Sequence, residues 1–286
     1  MTISLEQVQT TTLLGIRFWD PAREAQITDG LTVTVTPVAA PYPSPVTAFR
    51  TASGIYAFQG IAGLRALEHG PATSTSPPFT LRYQLQVTDA QQRFLPTVAD
   101  IELPLSYRGL YRPGATGSPP DEDDDAATRF YLFSAPTRTP PPGLAVVRAQ
   151  LYDQLANGPA AFALLEVQTP LGLWFGLSAA NGSAAVILPY PTFTRSLENG
   201  SPPPLVAQQQ WPLTVRIYYE PAVQSFSNGQ AVPDLGSIRR QQQAQSFATA
   251  EGPPANEQTG QLIFETETHL ATAGLSHLLV APASSP

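Results

Sequence analysis

Cysteine is absent from this 286-residue chain, and so is lysine: all 15 basic residues are arginine. Without cysteine there is no disulfide framework, no thiolate zinc site and no cysteine nucleophile. Without lysine there is no Walker-type phosphate loop, no Schiff base and no Ser/Lys dyad. Histidine is scarce, with only His69, His269 and His277. A zinc site would have to be completed by carboxylates, and no HExxH spacing occurs. No Gly-x-Ser-x-Gly elbow is present. The net charge of −7 opposes general nucleic-acid binding. The opening "MTISLEQVQTTTLLGIRFWD" has no basic n-region and no long apolar core, so a secretory signal is not expected. No apolar run reaches the roughly 18 residues of a membrane span. These absences predict a soluble, cytoplasmic, non-enzymatic protein without cofactor, metal or nucleic-acid partner.

Proline is in excess: there are 31, about twice the ordinary usage of roughly 5%. Proline neither donates to a sheet ladder nor continues a helix. Set between Thr/Val-rich runs, it predicts short strands joined by stiff loops. "LTVTVT" alternates with period two, so Leu31, Val33 and Val35 are expected to face a core with the threonines outward. "LRYQLQV" alternates likewise and should bury Leu81, Tyr83, Leu85 and Val87.

The chain also repeats itself. "FWDPAREAQITDGLTVTVTP" (18–37) lines up with "LYDQLANGPAAFALLEVQTP" (151–170), keeping the Asp and the terminal Thr-Pro without a gap. "ASGIYAF" (52–58) then matches "ANGSAAVIL" (180–188), and "FTLRYQLQVTD" (79–89) resembles "WPLTVRIYYEP" (211–221). With the apolar runs "LLGIRF" and "LAVVRAQL" just upstream of each copy, four matches in one order indicate an internal duplication. In each unit a strand ends at Asp20 or Asp153, whose carboxylate is suited to bonding turn N–H groups. Because Arg23, Glu24 and Asp29 are not kept in the second copy, Asp20 reads as a turn residue and not a catalyst.

The expected architecture is all-β: two tandem β-sandwiches joined by a Pro-rich linker, with an extended C-terminal tail. The boundaries are an N-terminal arm over 1–10, sandwiches over 11–107 and 143–222, a Pro-rich, acidic linker over 108–142, and a Gln-rich tail over 223–286. Within the linker, "RFYLF" is a strand assignable to either sandwich. A helix is expected over 235–250 with Ser237 as N-cap. A β-hairpin is expected over 260–281, turning at Ala273-Gly274. It should add to the second sandwich or pair with another subunit, because a hairpin alone is marginal in water.

Other candidate sites read as scaffold. "DEDDDAAT" puts Asp121, Asp123 and Asp125 on a calcium-loop spacing, but Ala126 and Leu132 stand where Gly and Glu are needed. It is taken as a solvated acidic linker. Asn181-Gly182-Ser183 and Asn199-Gly200-Ser201 are read as turns. His269 and His277 are read as hairpin surface or interface residues. Trp19 and Trp211 are expected to pack in the core, while Trp174 could sit on either face of its strand.

Several motifs carry family resemblances. Gly54-Ile55-Tyr56-Ala57-Phe58 leading to Ile61-Ala62-Gly63-Leu64, on a strand–Asp–turn–strand frame, resembles the carboxypeptidase regulatory-like (prealbumin-like) β-sandwich. The second copy keeps Gly182 but has "LPYPTF" in place of "GIAGL". The resemblance implies a prealbumin/Ig-like fold and an accessory or interaction role. Tyr107-Arg108-Gly109 resembles the Tyr-Arg-Gly-Ser ending of transthyretin-like hydrolases that open hydroxyisourate, with Leu110 in place of Ser. That chemistry relies on histidines, and only His69 lies in the first sandwich, so hydrolysis is not expected.

The order of sandwich, Pro-rich hinge, sandwich and Gln-rich tail resembles accessory proteins of phage-tail-like contractile injection systems. It implies a baseplate or cage-like subunit of a large assembly, whose partners are other subunits and whose particle is either released or attached to a membrane. The residues expected to contact a partner are Leu262, Ile263, Phe264, Leu278 and Leu279, through strand addition by "QLIFETETHL". Deleting 259–281 is then expected to spare both sandwiches and abolish assembly. The alternative is a carbohydrate- or surface-binding adhesion module built on an exposed tryptophan platform.

Overall fold

A computed structural model describes residues 14–38, 44–64, 81–103, 129–192, 209–227 and 229–282. The first half runs β1 (Leu14–Ile16), β2 (Phe18–Asp20), β3 (Ala25–Ile27), β4 (Leu31–Pro37) and β5 (Val46–Thr47). It continues through β6 (Phe49–Arg50), β7 (Tyr56–Phe58), β8 (Leu81–Asp89), β9 (Thr97–Leu103) and β10 (Phe130–Tyr131). The second half begins with β11 (Leu144–Asp153), β12 (Gly158–Pro159), β13 (Leu164–Thr169), β14 (Gly172–Leu177), β15 (Ser183–Pro189) and β16 (Gln210–Tyr218). After α1 (Leu235–Arg239) come β17 (Gln245–Phe247), β18 (Pro254–Ala255), β19 (Glu257–Ile263), β20 (Thr268–Leu270) and β21 (Leu278–Ala281). The fold is all-β: helix among the described residues is limited to α1 and a 3-10 turn at Pro221–Val223.

Alternation sets the faces. In β4, Val33 and Val35 are buried while the threonines between them are not. In β8, Tyr83, Leu85 and Val87 enter the core, and Gln84 is buried as well.

The duplication is visible in the pairing. One sheet of the first half has the order β5-β4-β8-β9, and its counterpart in the second half is β14-β13-β16-β19. Opposite them, β1 pairs with β7 and β11 with β15, both antiparallel. A late strand then lies parallel to the Asp-ended one: β10 beside β2, and β21 beside β11. Even the turn is kept. Asp20 faces Ala25 and Asp153 faces Gly158, with Glu24 (φ 47) and Asn157 (φ 52) left-handed at the same place. Gly54 (φ 75) and Gly182 (φ 80) precede β7 and β15, and a Cβ on Gly182 would strike the Leu151 carbonyl. The last sequence match keeps its faces: buried Tyr83, Leu85 and Val87 line up with buried Val215, Ile217 and Tyr219.

Three expectations are corrected. First, the described part of the linker, 129–142, belongs to the first sandwich. β10 fills the side of β2 that β3 leaves open, and Phe130, Leu132 and Phe133 join the first core.

Second, the segment after 222 is not an extended tail. β19 pairs with β16, β20 and β21 follow one another along β11, and β17 pairs with β21. β19 and β21 lie in different sheets, so 260–281 forms no hairpin, although the chain does turn at Gly274 (φ 81). Leu262, Leu278 and Leu279 are buried within this chain, and Ile263 and Phe264 are half-buried. These strands cover edges of β16 and β11 that would otherwise expose unpaired backbone.

Third, the expected long helix ends at Arg239. Asp234, not Ser237, is its N-cap, and the chain beyond is drawn into β17.

The two halves are packed together. Phe162, Leu177, Leu235 and Ile238 join the first core. The Asp234 carboxylate accepts from Ser237 N at 2.9 Å and from Asp100 N on β9 at 2.8 Å, so one side chain caps α1 and ties it to the first sandwich.

Leu262→Ala is expected to lower stability by about 2–5 kcal/mol through an unfilled cavity, read from urea unfolding. Removing 257–282 should abolish the cooperative unfolding of the second half. Survival of that transition after the deletion would show that the strands are peripheral.

Candidate functional site

The stretch at 18–37 lines a polar cleft of about 640 Å³. One wall is the outer side of β3 with Thr28 and Asp29, a second is the β8–β9 turn at Gln91–Phe94, and a third is the Thr137–Pro141 segment. Each acid of the stretch is held by an arginine from elsewhere. Asp20 is 6% exposed and Arg138 is 8% exposed. Arg138 donates to both Asp20 oxygens, at 3.1 and 2.5 Å, and to Ser134 Oγ at 3.0 Å. Asp20 also accepts from Ala22 N, the turn role expected from sequence. Glu24 accepts from Arg129 and Tyr131, and Asp29 from Arg93.

Asp89 organises the neighbouring turn. It accepts from Gln91 N, from Arg93 N and from the Arg93 guanidinium. Burial alone would raise its carboxyl, but these hydrogen bonds, led by the Arg93 side chain, hold it below the ordinary carboxylate value. The same bond raises Arg93, so each member of the pair favours the charged form of the other. Phe94 lies against both guanidinium groups, Arg138 at 4.7 Å and Arg93 at 5.5 Å from its ring centre. Among the described residues the lining holds no histidine or serine. The arrangement offers hydrogen bonds and charge, not a nucleophile with a base.

At the twin position in the second half the carboxylate has a different partner. Asp153 accepts from Leu155 N and Ala156 N, as Asp20 does from Ala22 N, but its second oxygen takes the Tyr219 hydroxyl at 3.1 Å. Burial raises the Tyr219 phenol strongly, and the Asp153 charge adds to the rise, so this site holds a neutral donor where the first half holds a cation.

A different surface lies at the start of β14, since β15 packs closely against its later residues at Gly176. Among the described residues β14 pairs with β13 alone. Its sequence "GLWFGL" has no charge and no proline, and Leu173 and Leu171 are 51% and 49% exposed. By contrast, the outer side of β9 is occupied by Asp234 and α1. Trp174 is half-buried against the second core and Phe175 against the first, so neither forms an open platform. Trp211 is buried with Tyr190 beside it, whereas Trp19 is half-buried under the Arg129 guanidinium at 4.1 Å.

The other sequence candidates are dispersed. His269 sits on β20 with Glu267 3.6 Å away, and His277 rests on the Tyr152 ring. Asn181 forms the expected turn, accepting from Ser183 N. His69, Tyr107-Arg108-Gly109, Asp121–Asp125 and Asn199 lie outside the described residues. Among the described residues no three His, Asp or Glu side chains gather as a metal site, and no helix is long and apolar enough to cross a membrane. Sequence reasoning missed the cleft because Arg93 and Arg138 carry no local signal.

No family model matches the chain, and a search of curated proteins returns no match. Among solved structures, the chain is similar to the shaft pilin spaA from Lactobacillus rhamnosus GG at 10% identity and TM-score 0.22, covering 97% of this chain and 100% of that one. It is also similar to the Bacillus anthracis TIE protein at 11% identity and TM-score 0.20, covering 87% of this chain and 43% of that one. The chain thus spans less than half of the TIE protein's length. Likenesses at these scores carry no functional argument.

Asp20→Ala is expected to cost about 3–5 kcal/mol, because it strands the buried Arg138 charge. Asp20→Ala combined with Arg138→Met should cost less than the two single changes added, as a urea double-mutant cycle would show. Asp89 has a depressed folded pKa, so its contribution is complete above the unfolded value of about 3.9. It is lost as pH falls through the folded value. Urea midpoints from pH 7 to 3 should therefore fall less steeply for Asp89→Asn than for the parent chain.

Proposed function

We propose that the chain is a non-enzymatic assembly subunit that joins its neighbours through the exposed start of β14. The observation that carries this reading is the start of the strand: β14 is uncharged and free of proline, and Leu173 and the preceding Leu171 are exposed. Exposed edges of this kind template pairing with another chain, and proteins usually blunt them with charge, proline or a covering segment. It is preferred to the contact surface expected from sequence because Leu262, Leu278 and Leu279 are buried within the chain and Ile263 and Phe264 are half-buried.

The finer reading is an accessory, baseplate or cage-like part of a phage-tail-like contractile injection system. It rests on the order of segments in the sequence. Two packed sandwiches with an exposed, uncharged strand start suit a rigid building block in such a particle.

Leu173→Lys places a charge on the edge without touching either core. It is expected to shift the purified chain from assemblies to monomers in size-exclusion chromatography with light scattering, with unchanged thermal unfolding. A parent chain that stays monomeric at every concentration, with or without its neighbouring subunits, would remove the β14 reading.

A further inference from the structure

The cleft beside β3 contrasts a saturated floor with an unsatisfied rim. On the floor, Asp20–Arg138 and Asp89–Arg93 are mutually neutralised, and Arg93 also donates to the Asp29 carbonyl at 2.7 Å. Around the rim, Arg23 is exposed, and its guanidinium has no partner among the described residues. The side chains of Gln91, Gln92, Thr137 and Thr139 are likewise exposed and make no hydrogen bond among the described residues. Gln92 holds a left-handed backbone (φ 55), which for a residue other than glycine is an uncommon conformation associated with functional loops.

The chemistry of this rim is selective. Amides and hydroxyls both donate and accept, matching a ligand rich in hydroxyl groups. The floor charges are paired and Asp29, exposed in the same lining, is tied to Arg93 at 3.3 Å, so Arg23, without an ionic partner among the described residues, decides charge preference. It offers a two-pronged donor set shaped for a carboxylate. The volume lies within the range of small-molecule sites, but the lining is more polar than a site for an apolar ligand would be. Phe94 already has guanidinium groups against it, so recognition runs through hydrogen bonds and not through stacking. The duplication supplies a control within the same chain: at the twin position Tyr219 occupies the carboxylate and the Gln154 N–H bonds the Val280 carbonyl.

We infer that the cleft is a binding site for an acidic saccharide, a uronate-type sugar whose carboxylate pairs with Arg23 and whose hydroxyls bond Gln91, Gln92, Thr137 and Thr139. This site is separate from the β14 edge, so its failure leaves the assembly reading untouched.

The test is an NMR titration of the full chain with D-glucuronate, D-glucose and acetate in parallel. Glucuronate is expected to shift resonances of residues 23, 91–93 and 137–139, with glucose binding more weakly and acetate at most at Arg23. Arg23→Ala should weaken glucuronate about tenfold, the loss of one charge-assisted contact, and leave glucose unchanged. Gln92→Gly, which keeps the left-handed backbone, should weaken both sugars. Three results would overturn the inference: no shift at the rim with glucuronate, acetate binding as tightly as glucuronate, or Arg23→Ala changing glucuronate affinity less than twofold.

Discussion

The buried pairing of Asp20 with Arg138 is the constraint on which the rest of the molecule turns. Taking two charges out of water is costly, and good geometry with further hydrogen bonds must offset it. Here the offset comes from two contacts between the charges, the Ser134 hydroxyl and the Ala22 N–H. The pairing fixes residues 129–142 against the first sandwich. The carbonyls of Pro136 and Arg138 then accept from Arg148 on β11, so the same segment also sets where the second sandwich begins. A stretch that composition presents as a spacer is therefore a joint with defined geometry.

The two halves show how one backbone solution tolerates two chemistries. Both close a strand with a buried aspartate and follow it with a left-handed residue at the same place. One half satisfies the carboxylate with a guanidinium from the connecting segment, the other with a phenol at the end of β16. The guanidinium brings a second arginine and a polar cleft with it. The phenol is itself buried in the second core. Divergence between the copies thus falls on side chains around a conserved turn and leaves the strand order intact.

Edge management divides the molecule in a similar way. Asp234 and α1 cover β9, and β19 to β21 complete the second sandwich, whereas the start of β14 stays exposed. Sealed edges confer a defined fold, and an open one leaves a place for another chain.

The sequence by itself determined the all-β class, the duplication, the inward faces of β4 and β8, and the turn role of Asp20. Each depends on neighbours a few residues apart or on a repeat, so periodicity and turn chemistry carry it. Only the tertiary structure decided that "RFYLF" pairs in parallel with β2, that 257–281 is sandwich and not tail, and that Arg93 and Arg138 meet at Phe94. Strand partners distant in sequence leave no local trace, because any apolar run of the right length fits an open edge. Arg138 looks like any arginine in a Pro-rich stretch until folding brings it against Asp20 and closes it from water.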